Sequence, residues 1–360
     1  MATTSLNAAE IPTGRRFRLA IVGTGQIGRQ SHIPAALASD EVEVTALVDP
    51  VVERARQVAR EYGIDPVIAP DVTEVLEDND GANIATPNHT HGDIAVACLA
   101  ARKSVLIEKP LAHSYADGLR IVETARKSGA TLEVGYCSRF RNNVLLLKQL
   151  LDAGTFGRVR RFVHQAGSAG GWARMSGYNL DRATAGGGVL VVTGSHFLDR
   201  MLYFWGYPDS MEFMDDSEGG PEANCRATFR FSGIGLEGYA IYSKTVFLPT
   251  VLVIDTDRGR VVFEDSDESE VVFRSHGESV EQVFRQRNRK RGQEDVFRLQ
   301  IEDFVRAHCD RRPPLVDGEQ GLASMRLVEQ LYVCRKSMNA DWYAGAKPAA
   351  IPSALERTTQ

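Results

Sequence analysis

The sequence predicts an α/β protein in two parts: an N-terminal parallel sheet, then an α+β domain built on a large, mostly antiparallel open sheet. Between residues 18 and 135, short apolar runs alternate with helical stretches, the pattern of βαβ units. After about residue 137, strand-like runs follow one another without helices between them, as in an antiparallel sheet. The chain has 360 residues, more than one compact core ordinarily fills.

The elements follow in order. Residues 19–22 form the first strand and 26–38 a helix. Val42, Val44, Ala46 and Val48 alternate through a second strand, and a helix over 51–62 stops at Gly63. Residues 83–85, 105–107 and 131–134 supply later strands, with helices near 91–102 and 115–128. An amphipathic helix over 142–153 closes at Gly154. Strands are then expected over 159–165, 223–231, 236–245, 251–255, 261–264 and 271–274, and helices over 293–309 and 318–338. The expected organisation is a tail over 1–14, domains over 15–137 and 138–345, and a second tail over 346–360.

Composition excludes several classes. The net charge of −5 offers a polyanion no attraction. The basic run Arg285, Arg287, Arg289, Lys290 and Arg291 has few aromatics beside it and reads as a solvated loop, so no nucleic-acid partner is expected. Cys98, Cys137, Cys225, Cys309 and Cys334 are scattered, without the spacing of a zinc site or disulfide framework; reduced thiols in the cytoplasm are the simpler expectation. No apolar run reaches eighteen residues, so no membrane span is expected. Arg15-Arg16 does not read as an export signal, because the apolar stretch after it runs straight into a glycine loop. No histidines have metal-ligand spacing.

That loop is the strongest motif. Gly23-Thr-Gly25-Gln26-Ile27-Gly28 follows the first strand and opens a helix, the context in which G-x-G-x-x-G marks a dinucleotide-binding Rossmann domain. Gly23 permits the turn, Gly25 lets backbone approach a pyrophosphate, Gly28 allows close helix–strand packing, and the helix N-terminus attracts phosphate. Asp49 ends the second strand, where an acid holds the adenosine ribose and repels a 2′-phosphate; NAD is favoured over NADP. Three strands end in X-Pro: Asp49-Pro50, Thr86-Pro87 and Lys109-Pro110. Each presents a polar group at the carboxyl edge of the sheet, through a cis or trans bond.

Two residues are candidates for catalysis. Lys109, in Glu108-Lys109-Pro110, follows a buried run. Desolvation there lowers its pKa and suits it to hold a substrate hydroxyl. His196 lies in Thr193-Gly194-Ser195-His196, after Gly186-Gly187-Gly188, whose glycines suit close approach to a ligand. With Thr193 as N-cap, His196 sits in a first helical turn, where the dipole favours neutral imidazole. A capping or packing histidine is the alternative. His89 and His91 follow Thr86-Pro87-Asn88 and either line the crevice or cap a helix, and His32 carries a weaker signal.

Together these residues resemble the glucose–fructose oxidoreductase, inositol dehydrogenase and rhizopine-catabolism (Gfo/Idh/MocA) family. The resemblance extends over 17–340 and includes Gly23 to Gly28, Thr86-Pro87-Asn88 with His91, Glu108-Lys109-Pro110, Gly135-Tyr136 to Phe140 and the block from Gly186 to Asp199. It implies hydride transfer between nicotinamide and a carbon of a sugar, sugar derivative or cyclitol, and a homo-oligomer, dimer or tetramer. It also implies catalytic roles for Lys109 and His196. Gly23, Gly25, Gln26, Ile27, Gly28, Asp49, Thr86, Pro87, Asn88, His91, Glu108 and Lys109 are the expected cofactor contacts. Arg139, Tyr178, Asn179, Arg182 and His196 are the expected substrate contacts. One departure stands out: Val192 occupies the position, four before the histidine, where the family usually has aspartate. That altered relay leaves two other functions to weigh: a lyase, epimerase or glycosidase that retains NAD without net redox change, and a nicotinamide-binding regulator without catalysis.

Overall fold

The computed structural model describes residues 15–169, 186–217, 220–264, 270–277, 279, 281–285 and 293–338. The first sheet contains β1 (Phe17–Val22), β2 (Val42–Val48), β3 (Val67–Ala69), β4 (Gly81–Ile84), β5 (Ser104–Ile107) and β6 (Leu132–Val134). Its order is β3-β2-β1-β4-β5-β6, and every neighbouring pair is parallel. The order reverses between β1 and β4, which opens a crevice at their carboxyl ends. β4, β5 and β6 are buried throughout, as strands covered on both faces must be.

The covering helices include α1 (Ile33–Leu37), α2 (Val52–Tyr62), α3 (His91–Ala100) and α4 (Tyr115–Ser128). α2 ends at Gly63 in the left-handed region, as its glycine signalled. β3 escaped sequence reading because it is three residues at a sheet edge, with Val67 exposed.

α5 (Asn142–Asp152) leads into the second sheet, whose strands are β7 (Val159–Gly167), β8 (Ser210–Asp215), β9 (Asn224–Phe231), β10 (Leu236–Ser243), β11 (Leu248–Thr256), β12 (Gly259–Glu264), β13 (Glu270–Ser275), β14 (Glu281–Arg285) and β15 (Arg335–Ser337). The order is β14-β13-β12-β11-β7-β10-β9-β8-β15, antiparallel except for β7 with β10 and β8 with β15. α6 (Ser195–Trp205) packs on one face of it. Phe162 of β7 stacks on Trp205 at 4.5 Å and meets Phe197 edge-on at 5.7 Å, a geometry that adds to plain area burial.

The chain then returns. α7 (Gln293–Asp310) lays Phe297, Ile301 and Phe304 into the core of the first sheet, with Phe304 edge-on to Phe17 at 5.5 Å. α8 (Gly318–Val333) starts with a capping box between Asp317 and Gln320. It joins both cores, with Leu322 and Met325 in the first and Leu327 and Leu331 in the second. α8 also ends earlier than residue 338, because Arg335–Ser337 pairs with β8 instead.

Candidate active site

The loop after β1 has the shape a dinucleotide needs. Gly23 has φ +98°, and a Cβ there would lie 2.5 Å from the Ala85 carbonyl oxygen. A Cβ on Gly28 would lie 2.1 Å from the Gly23 oxygen, so only glycine closes this turn. A Cβ on Gly25 would meet nothing within 4 Å, so its backbone is open to a ligand. Gln26 and Ile27 sit exposed at the helix start, where unpaired N–H groups collect. The residues therefore fit a bound dinucleotide.

Asp49 ends β2 with 2% exposure. Its Oδ2 accepts the Thr24 hydroxyl at 2.7 Å and the Thr24 N–H at 3.1 Å; its Oδ1 accepts the Val51 N–H at 2.9 Å. The Arg54 guanidinium lies 3.2 Å from Oδ2. This carboxylate is anchored from the glycine loop itself, a link the sequence did not signal.

The ends of β4 and β5 are tied together by His91, which is completely buried at the start of α3. Its Nε2 lies 2.9 Å from the Thr86 carbonyl oxygen and its Nδ1 3.0 Å from that of Pro110. Burial depresses its pKa despite these carbonyls. His91 thus braces the Thr86-Pro87-Asn88 turn against the lysine motif from behind, while Thr86, Pro87 and Asn88 remain partly exposed. A cleft of about 390 Å³ adjoins the turn, walled in part by Asn88, Pro110, His113, Tyr136 and Ser195.

The Lys109-Pro110 bond is cis. Glu108 receives the Lys109 backbone N–H on Oε2 at 3.0 Å and faces His32 Nε2 with Oε1 at 2.8 Å. Burial raises the Glu108 pKa, but the His32 contact and the Lys109 charge outweigh it, and the net shift is downward. Burial lowers the Lys109 pKa, as expected for an ammonium in this position, and Glu108 opposes that shift. The ammonium donates to the Val192 carbonyl oxygen at 3.2 Å.

Val192 belongs to the other half of the molecule. It lies in a wide helical turn, Leu190–Gly194, that runs without a break into α6. Val192 lies about one turn before His196, so the ammonium bonds helix backbone about one turn from the residue that carries the imidazole. Tyr136, directly after Gly135 beyond β6, presents its ring edge-on to His196 at 6.2 Å.

Three expectations about this region are corrected. Thr193 is not the N-cap: the helical segment begins near Val189, and buried Glu222 accepts the N–H groups of Gly188 and Leu190 at 2.9 Å each. His196 is therefore past the first turn, beyond reach of the helix-end argument for neutral imidazole. Gly187 and Gly188 serve packing, not approach of a ligand: a Cβ on Gly187 would lie 2.1 Å from the Tyr332 hydroxyl, and one on Gly188 2.1 Å from the Glu222 carbonyl oxygen. Arg139 is not placed for substrate. It is 1% exposed and binds Asp199 bidentately, Nε to Oδ2 and Nη2 to Oδ1, both at 2.7 Å. Its remaining nitrogen reaches Gln320 Oε1 at 3.0 Å. Glu222 and the partner of Arg139 were missed because both depend on contacts remote in sequence. Tyr178, Asn179 and Arg182 lie outside the described residues.

A parallel sheet with this switch point, a glycine loop after its first strand and a carboxylate ending its second is the arrangement of a dinucleotide-binding Rossmann domain. Residues 17–136 match the model of the oxidoreductase family with an NAD-binding Rossmann fold (Gfo/Idh/MocA), and 148–342 match that family's C-terminal α/β domain. The chain belongs to this family. It is 24% identical to a myo-inositol 2-dehydrogenase of Thermotoga maritima, covering 89% of this chain and 96% of that protein. It is 34% identical to the rhizopine catabolism protein MocA of Rhizobium meliloti over 53% of this chain, and 27% identical to a D-glucoside 3-dehydrogenase of Escherichia coli over 54%. These two matches take in only 58% and 56% of the relatives' own lengths. Among solved structures, a levoglucosan dehydrogenase in complex with NADH and levoglucosan superposes with a TM-score of 0.80 at 18% identity, covering 89% of this chain and 97% of that one. An aldose-aldose oxidoreductase from Caulobacter crescentus gives 0.79 at 23% identity, covering 89% and 97%. Among the described residues, no helix is long and apolar enough to cross a membrane.

Proposed function

We propose that this chain transfers a hydride between NAD and a hydroxyl-bearing carbon of a sugar, sugar derivative or cyclitol, with Lys109 positioning the hydroxyl and His196 exchanging its proton. The observation that supports this reading is the bond from the Lys109 ammonium to the Val192 carbonyl, in the helical segment that goes on to carry His196. A bound nicotinamide supplies the hydride acceptor or donor. Lys109, with its pKa lowered by burial, donates a hydrogen bond to the substrate oxygen and stabilises charge that develops there. His196 takes the hydroxyl proton during oxidation and returns it during reduction. Asp49 supports NAD over NADP, because a carboxylate at the end of the second strand of such a sheet would repel a 2′-phosphate.

The names of the relatives support a polyhydroxylated substrate. Incubation with NAD⁺ and a panel of myo-inositol, D-glucose, a methyl glucoside and levoglucosan is expected to generate the near-ultraviolet absorbance of reduced nicotinamide with at least one of them. Absence of affinity for either dinucleotide would overturn the proposal. A second reading, chemistry without net redox, is favoured by Val192, which stands at the position where the resemblance implies an aspartate, so that Lys109 meets a backbone carbonyl. It predicts product without accumulation of NADH, and stoichiometric NADH excludes it. The same proposal includes a cytoplasmic homo-oligomer, dimer or tetramer, consistent with five unpaired cysteines. Light scattering tests the assembly state.

A further inference from the structure

His32 is accounted for neither by the glycine loop nor by the lysine motif. It is 1% exposed and closes the wide turn Gly28–His32, in which the Ile33 N–H bonds the Gly28 carbonyl five residues back. Such turns recur at functional sites. Phe297 of α7 packs edge-on against its ring at 5.0 Å. Its Nδ1 lies 2.8 Å from the Asn83 amide nitrogen and its Nε2 2.8 Å from Glu108 Oε1. An amide nitrogen only donates, so Nδ1 carries the lone pair and the ring proton sits on Nε2. Turning the Asn83 amide over would require a proton on both ring nitrogens, because the carboxylate cannot donate. Either way, Nε2 donates to Glu108.

Glu108 spends its other oxygen on the Lys109 backbone N–H at 3.0 Å. Two side chains therefore connect the phosphate-binding helix to the backbone of the lysine. We propose that His32 is a positioning residue for Lys109: it fixes the Glu108 carboxylate, which holds the lysine's backbone N–H. This rests on the reading of Lys109 given above.

The arrangement has an electrostatic consequence. The titratable groups that act on Lys109 are Glu108, Cys137 and Lys244; those around Glu108 are His32, Lys109, His91, Tyr136 and Cys137. Burial pushes the Cys137 thiol up to about 12, so it is neutral and Glu108 is the one anion of the set. Without that anion, Lys109 faces only desolvation and the like charge of Lys244, and loses its proton at lower pH. Without His32, only the Lys109 charge and backbone N–H oppose the burial of Glu108, so its carboxyl shifts upward toward protonation and its charge supports the ammonium less.

The test needs no substrate. The rate of Lys109 acetylation by acetic anhydride is followed across pH by peptide mass spectrometry, with folding checked by circular dichroism. The midpoint is expected to fall by about one pH unit or more in Glu108→Gln and in His32→Ala. His32→Gln, which keeps a donor toward Glu108, should stay near wild type and also serves if the alanine variant fails to fold. A midpoint unmoved in Glu108→Gln, or a glutamine variant displaced as far as alanine, overturns the proposal. Undiminished turnover in Lys109→Ala would instead remove Lys109 from the mechanism, a separate result from the acetylation midpoints.

Discussion

Replacing Arg139 by Met separates a packing role from substrate contact. Arg139 and Asp199 are 1% and 0% exposed and are joined by two charge-assisted bonds of 2.7 Å, with Ser324 donating to Asp199 Oδ1 at 3.3 Å. Arg139→Met strands the carboxylate where water cannot reach it. Loss of one partner of a buried pair costs about 3–5 kcal/mol. Removing both charges with Arg139→Met and Asp199→Leu should recover most of this, because a well-packed apolar pair of similar volume is roughly as stable as a buried ion pair. Burial already pushes the Asp199 carboxyl up against the pull of Arg139, and without the guanidinium it rises further. A carboxyl raised in the folded state is favoured below its unfolded pKa, and that advantage is lost as pH climbs through the folded value, so the deficit of the single variant grows with pH. Urea unfolding at mildly acidic and mildly alkaline pH measures this. A loss below about 0.5 kcal/mol, accompanied by a raised KM, would refute the reasoning and return Arg139 to the substrate site.

Other outcomes follow from the same geometry. Gly28→Ala drives a methyl into the Gly23 carbonyl, costs roughly 1–3 kcal/mol of overpacking and should weaken NADH binding about tenfold, checked by fluorescence titration. Asp49→Ser removes the charge that opposes a 2′-phosphate and frees Arg54, 3.2 Å away, so the ratio of NADP to NAD affinity should rise about tenfold, measured by calorimetry. Glu133 is fully buried in β6, and burial, reinforced by Asp303, pushes its pKa well above the ordinary value. Stability should therefore fall as pH rises from the usual glutamate range through the folded value, and Glu133→Gln should abolish that slope and be the more stable protein at neutral pH, read from thermal melts.

The parallel sheet was legible apart from β3, because its other strands and its helices carry their own period and stop signals, such as Gly63 after α2. The glycine turn and the place of Asp49 at the end of β2 were legible because both are set by local sequence. β14 and β15 were not: exposed, charge-bearing strands such as Arg335–Ser337 have no apolar alternation and exist only through pairing. Glu222 was not legible either, since it caps a helix more than thirty residues earlier in the chain. Arg139 misled because an arginine near a site looks alike in sequence whether it serves a ligand or a buried carboxylate; Asp199, 60 residues away, decides between them. His32 gave only a weak signal because its partners, Asn83 and Glu108, come from two other strand ends.

The most direct test compares Lys109→Ala and His196→Ala with the unaltered chain in one experiment: NADH affinity by fluorescence, then turnover on whichever sugar or cyclitol the panel selects. Retained coenzyme binding with turnover reduced by about 10²-fold or more in both variants is the predicted result. Turnover that survives either substitution would show that this ammonium and imidazole do not together perform the chemistry.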